Sequence, residues 1–151
     1  MNLLAGEIVD LLKGHDFGYP NMMVTRSFDA SNKTYPRIVV RQMQSATLLR
    51  DAHKTELEII AFQFEVYAKD CVDSEGNIKS RDEVCDDISA QIDEIIFERY
   101  RFNHDDITEV KRYTEDVGFR LLRYSGVIDQ FGLTYRSSHF PYSGYTYQNF
   151  Y

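Results

Sequence analysis

At 151 residues the chain fits one domain, long enough for a hydrophobic core that needs neither metal nor disulfide. Its 43% hydrophobic and 27% charged residues lie in the globular range and exclude a disordered chain. A net charge of −7 argues against tight DNA binding, which calls for a basic face, although an acidic surface suits a protein past which DNA slides.

The first predicted element is a short amphipathic helix, with Leu4, Ile8, Leu11 and Leu12 at helical spacing and Gly14 as its stop. Residues 15–36 carry His15, Gly18, Pro20, Asn32 and Pro36 and read as a loop-rich connection around a short strand at Met22 to Arg26. Arg37 to Met43 is β-branched at its centre and predicts a strand. The clearest strand is Leu57 to Ala68, where Ile60, Phe62, Phe64 and Val66 point one way and Gln63 and Glu65 the other. Ser45 to Thr55, between these strands, is too long for a tight turn and predicts either a protruding hairpin arm or a long surface loop.

Ser80 is placed to open the main helix, with Glu83 three residues on completing a capping box. Val84, Cys85, Ile88, Ile92, Ile95 and Ile96 form its apolar stripe, opposite Asp82, Glu83, Asp86, Asp87, Asp93 and Glu94. Phe97 falls off that stripe, where it either caps the sheet edge or contacts a partner. Strands are predicted at Asp106 to Tyr113, Phe119 to Asp129 and Phe131 to Arg136, the last two joined by a turn containing Gly132. The order predicts an α+β domain over 1–136, an antiparallel sheet with two main helices packed on one face. Residues 137–151 form an extended aromatic C-terminal arm carrying Phe140, Tyr142, Tyr145, Tyr147, Phe150 and Tyr151. Such a segment folds back on its own domain, packs on a neighbouring subunit or stays disordered.

Little in the sequence points to chemistry. His15, His53, His104 and His139 show no mutual ligand spacing, and none stands near a cysteine, so neither a metal nor another cofactor is expected. His104-Asp105-Asp106 resembles part of a metal triplet, but turn chemistry explains it equally well. Cys71 and Cys85 form no CxxC pair, and the carboxylates beside Cys85 raise a thiol's pKa. No phosphate-binding, dinucleotide, nucleophile-elbow or HExxH motif occurs, and the expectation is a protein that is not an enzyme. No run of apolar residues is long enough to span a membrane, and an acidic residue at Glu7 interrupts any signal-like segment. The expected location is therefore the cytoplasm or a particle assembled there.

One resemblance gathers these features. Tyr35-Pro36-Arg37-Ile38-Val39-Val40, the F-x-F-E-V-Y phrase within Ile59 to Ala68, and the closing phrase Y-x-G-x-I-D…G-x-x-Y-R from Tyr124 to Arg136 follow one another in order. The pattern over residues 1–136 is similar to small tail terminator, or tail-completion, proteins of long-tailed bacteriophages. The resemblance implies a protomer that closes into a ring, commonly a hexamer, at the end of the tail tube. There it would contact the tail tube protein on one side and the head–tail connector or stopper protein on the other. It implies no catalytic residues. Leu48, Leu49, Arg50 and His53 would belong to an arm towards a neighbour or the tube. Asp82, Asp86, Asp87, Asp93 and Glu94 would suit a channel through which DNA passes without specific binding. A head-closure or adaptor protein of the phage neck, and a small acidic regulator that binds a basic partner, are the alternatives.

Overall fold

The computed structural model describes residues 2–29, 31, 33–50, 55–129 and 134–135. Helix α1 (Asn2–Lys13) buries Ala5, Ile8, Val9 and Leu12, and ends where the Gly14 amide donates to the Asp10 carbonyl. The loop after it is anchored by aromatics: Phe17 and Tyr19 are both buried. Strand β1 (Met23–Thr25) then pairs with β2 (Arg37–Arg50) in parallel, while the other described pairings in the sheet are antiparallel as expected. Residues 26–36 are long enough to carry the chain back to the end of the sheet where β1 began.

β2 and β3 (Thr55–Ala68) form a long antiparallel hairpin, paired from Arg37↔Tyr67 to Arg50↔Thr55. Of the two expectations for residues 45–55 the hairpin arm is the one observed, and the long loop is corrected. Ser45 to Arg50 is strand, and 51–54, which include His53, lie outside the described residues. Register shifts between Gln42 and Ser45, and again on either side of Leu49, interrupt the period-two alternation that marks a strand in sequence.

A small hairpin that the sequence reading passed over follows, from β4 (Cys71–Val72) and β5 (Ile78–Lys79). The Asp73 carboxylate accepts from the amides of Glu75 and Asn77, and Gly76 supplies the positive φ its turn requires. Helix α2 (Arg81–Tyr100) opens with the expected capping box between Ser80 and Glu83. It closes on Arg101 in the left-handed region, whose amide donates to the carbonyls of Ile96 and Phe97.

The single strand expected at Asp106 to Tyr113 is two short ones, β6 (Asn103–Ile107) and β7 (Lys111–Arg112), both on β8 (Gly118–Asp129). His104, Asp105 and Asp106 are therefore strand residues around a bulge, not a turn. β9 (Thr134–Tyr135) pairs back on β8, giving the closing hairpin, while its turn at 130–133 lies outside the described residues.

The sheet order is β1-β2-β3-β8-β6, with β7 and β9 also on β8. Period-two alternation sorts it into two faces. One face presents Ile38 and Val40, then Ile60, Phe62, Phe64 and Val66, then Leu122 and Tyr124. These join α1 and the α2 residues Val84, Cys85, Ile88, Ile92 and Ile96 in one buried cluster. Both helices thus cover the same face, and each fully buried Ile or Phe stabilises it by about 1.5–3 kcal/mol relative to exposure. Tyr100 reaches across to α1 and donates to Glu7 at 2.7 Å. Distal to the Ile60↔Gly126 pair the strands run on through Arg50, Thr55, Asp129 and β9. Among the described residues, no helix is long and apolar enough to cross a membrane.

Candidate functional site

The face of the sheet opposite the helices, to which the alternation in β3 directs Gln63 and Glu65, carries a hydrogen-bonded network. Glu65 is only 7% exposed although its neighbours in the alternation, Gln63 and Tyr67, are polar or amphipathic. One Glu65 oxygen accepts from Arg41 Nε at 2.6 Å and from Gln63 Nε2 at 2.9 Å; the other accepts from the Tyr67 hydroxyl at 2.9 Å. The Gln63 carbonyl in turn accepts from Arg123 Nε at 3.0 Å, so the network crosses β2, β3 and β8. Burial, and then the Glu65 acceptor, push the Tyr67 hydroxyl well above an ordinary phenol.

On either side of this network the face changes character. Towards Tyr67 lies an aromatic cluster: Phe28 is 4.8 Å and Phe119 5.4 Å from the Tyr67 ring. Two cations are laid into it. The Arg37 guanidinium sits 4.9 Å from the Phe28 centroid and 5.1 Å from Tyr35, and Lys69 Nζ is 5.3 Å from Tyr35. A cavity of about 490 Å³ opens there between Tyr35, Lys69, Tyr113 and Lys33. Towards the distal end the face is apolar, with Met43 49% and Ile59 40% exposed.

Helix α2 holds the opposite charge. Between Arg81 and Tyr100 stand seven acidic residues and two arginines, so this helix accounts for −5 of the chain's −7. Several of its acids already have structural partners. Asp86 pairs with Arg120, Asp87 accepts from the Tyr19 hydroxyl at 2.7 Å, and Asp93 accepts from Tyr124 at 2.9 Å with His104 Nδ1 at 3.1 Å. Burial and these carboxylate acceptors raise the Tyr19 and Tyr124 hydroxyls far above the usual value. Asp82 and Glu94 stand exposed on the outer surface. Phe97 is 53% exposed on that outer side rather than against the sheet edge, with Arg101 4.7 Å over its ring.

The remaining expected interface residues fall where little can be read. Leu48, Leu49 and Arg50 lie on the distal part of β2, their side chains outside the described set. Phe140, Tyr142, Tyr145, Tyr147, Phe150 and Tyr151 lie outside the described residues altogether. Glu65 and Arg41 are the functional candidates that the sequence reading missed. Their only signal was a charged residue in each of two adjacent strand runs, set diagonally with Arg41 opposite Gln63 and Glu65 opposite Val39, which a solvated face produces as readily.

The arrangement offers little to bond-making chemistry. Among the described residues no group of three His, Cys, Asp or Glu side chains could hold a metal. Burial pushes the Cys85 thiol up to about 12, and burial followed by Asp73 and Asp70 raises Cys71. An open groove of about 790 Å³ beside β1 is lined by apolar Leu12, Phe17, Met22 and Val24 together with polar residues that include Lys13, His15 and Asp16. His15 Nε2 is already 2.9 Å from the Gln91 amide oxygen. No family model matches the chain, and no curated protein matches it.

Proposed function

We propose that this chain is a phage virion structural protein, a tail terminator whose ring caps the tail tube and joins it to the head connector. The observation that supports the reading best is the one-sided sheet. Two helices cover one face, and the other carries the half-exposed Arg41 and exposed Arg123 over a buried carboxylate network, with exposed Met43 and Ile59 beyond, a surface suited to contact with protein rather than with a small substrate. The phage-like phrases in the sequence fall on the elements that build this face. Tyr35 to Val40 leads into β2, the F-x-F-E-V-Y phrase contains Phe64, Glu65 and Tyr67, and the closing phrase spans β8 and β9. In this reading the protein turns over no substrate, its ring is a hexamer, and DNA passes it without specific binding.

A head-closure or adaptor role would use the same surfaces at another level of the neck. Adding purified protein to terminator-deficient tails separates the two. A terminator arrests tube growth at a fixed length and leaves a ring at the tube end, whereas continued tube growth with the protein bound only to heads contradicts the terminator reading. The concentration of negative charge on α2 favours one further reading, a regulator that binds a basic partner. Because Asp86, Asp87 and Asp93 hold the fold, charge reversal at Asp82 and Glu94 is the informative variant, and unchanged binding of that partner excludes the regulator.

A further inference from the structure

The two unlike faces lie on opposite sides of one sheet, and their features follow the same order along it. α2 runs over β3 and β8 with its first turns at the level of Val66 and Arg120: Cys85 Sγ approaches the Val66 carbonyl, and Asp86 meets Arg120. Two turns on, Asp93 stands at the level of Tyr124, which pairs with Phe62. Beyond the helix end, Phe102 lies against Gly126, which pairs with Ile60. At ~100° per residue the crest of α2, pointing away from the sheet, is Glu83, Asp87, Ala90, Glu94 and Phe97. Read along the sheet from the Val66 level, the crest is acidic, then acidic again at Glu94, then aromatic.

The open face, read the same way, carries the half-buried Lys69 at the edge of an aromatic patch in which Arg37 is buried, then Arg41 and Arg123 around Gln63, then Met43 and Ile59. Reachable cations stand at the height of Glu94 in the second step, and exposed apolar side chains stand at the height of Phe97 in the third. Arg41 keeps 42% of its side chain exposed and Arg123 is exposed, so both can reach a second carboxylate while holding Glu65 and Gln63.

We infer that the occupant of the open sheet face is the α2 crest of a second copy of this chain, laid on it head to tail with the strands of the two copies running in the same sense. The contact deepens the assembly reading above and rests on it. It turns the two-layer protomer into a sheet covered on both faces, as α/β layers ordinarily are. It pairs Glu94 with Arg41 and Arg123, and seats Phe97 against Met43 and Ile59. It uses two different surfaces on each protomer, so it propagates from copy to copy and closes when the rotation per step allows. The charge pairs set the register, and the partly exposed apolar contact at Phe97 excludes water at one end.

Sedimentation velocity on the whole chain over a wide concentration range tests this, with thermal melts confirming that each variant folds. Glu94→Lys and Arg123→Glu, each alone, are expected to weaken self-association by at least about tenfold, and the double swap to restore it to within about threefold. Phe97→Ser, which touches no charge pair, is expected to weaken it comparably. If the wild-type chain assembles but neither reversal alters assembly, or the double swap gives no rescue, this surface is wrong while the assembly reading survives. If the wild-type chain stays monomeric throughout, alone and with tail tubes, both fail.

Discussion

Gly126 should be the least replaceable glycine in the sheet. A Cβ built there would lie 2.1 Å from Phe102 Cδ1 and 2.6 Å from Cε1. Carbon atoms in contact sit at about 3.5–4.0 Å, so the ring would have to retreat by roughly 1.5 Å. It has nowhere to retreat to, because Phe102 is stacked between Phe62 at 5.9 Å and Tyr100 at 5.3 Å, and all three are buried. Gly126→Ala therefore either overpacks the core, at about 1–3 kcal/mol, or expels the ring, which approaches the roughly 3–5 kcal/mol of a Phe→Ala truncation. A loss of about 2–4 kcal/mol is expected, read as a lowered urea midpoint at unchanged slope. The double variant Gly126→Ala/Phe102→Ala should be no less stable than Phe102→Ala alone, because the clash is gone. A Gly126→Ala protein within about 0.5 kcal/mol of wild type would refute the reasoning, since surface-like tolerance is incompatible with that contact.

Three further outcomes follow from the same contacts. Glu65→Gln leaves Arg41 and Tyr67 without their charged acceptor and should destabilise by about 1–3 kcal/mol in the same assay. Ser80→Ala removes one half of the α2 capping box and should lower stability by about 1 kcal/mol, with Ser80→Asp close to neutral. Tyr19, Tyr67, Tyr100 and Tyr124 all have hydroxyls raised by burial and a carboxylate acceptor, so the fold favours the neutral phenol over the ionised one. Their contribution is fully present below about pH 10, the unfolded value, and is lost as pH rises beyond it. Chemical denaturation from pH 7 to 12 should show a plateau and then a decline, and stability that holds level to pH 12 would contradict that.

How much of this was legible in the sequence varied with how local the cause was. The α2 cap could be read because Ser80 and Glu83 satisfy each other three residues apart, without help from the fold. The β3 faces could be read because Phe62, Phe64 and Val66 alternate without interruption. The distal half of β2 could not, because register shifts near Gln42 and Leu49 break the alternation that identifies a strand. Nor could the parallel pairing of β1, which depends on where residues 26–36 return the chain. The acids of α2 looked uniformly solvated in sequence, yet Asp86, Asp87 and Asp93 meet Arg120, Tyr19 and Tyr124 from distant parts of the chain. The same holds for Glu65, whose burial comes from partners contributed by β2 and β8.

In the proposed reading this chain works as a repeating member of a closed protein assembly. Light scattering coupled to size exclusion, with negative-stain images of the purified protein alone and mixed with tail tubes, tests it most directly. A discrete ring, formed alone or at tube ends, is the predicted result. A chain that remains monomeric at every concentration and leaves the tubes bare would contradict it.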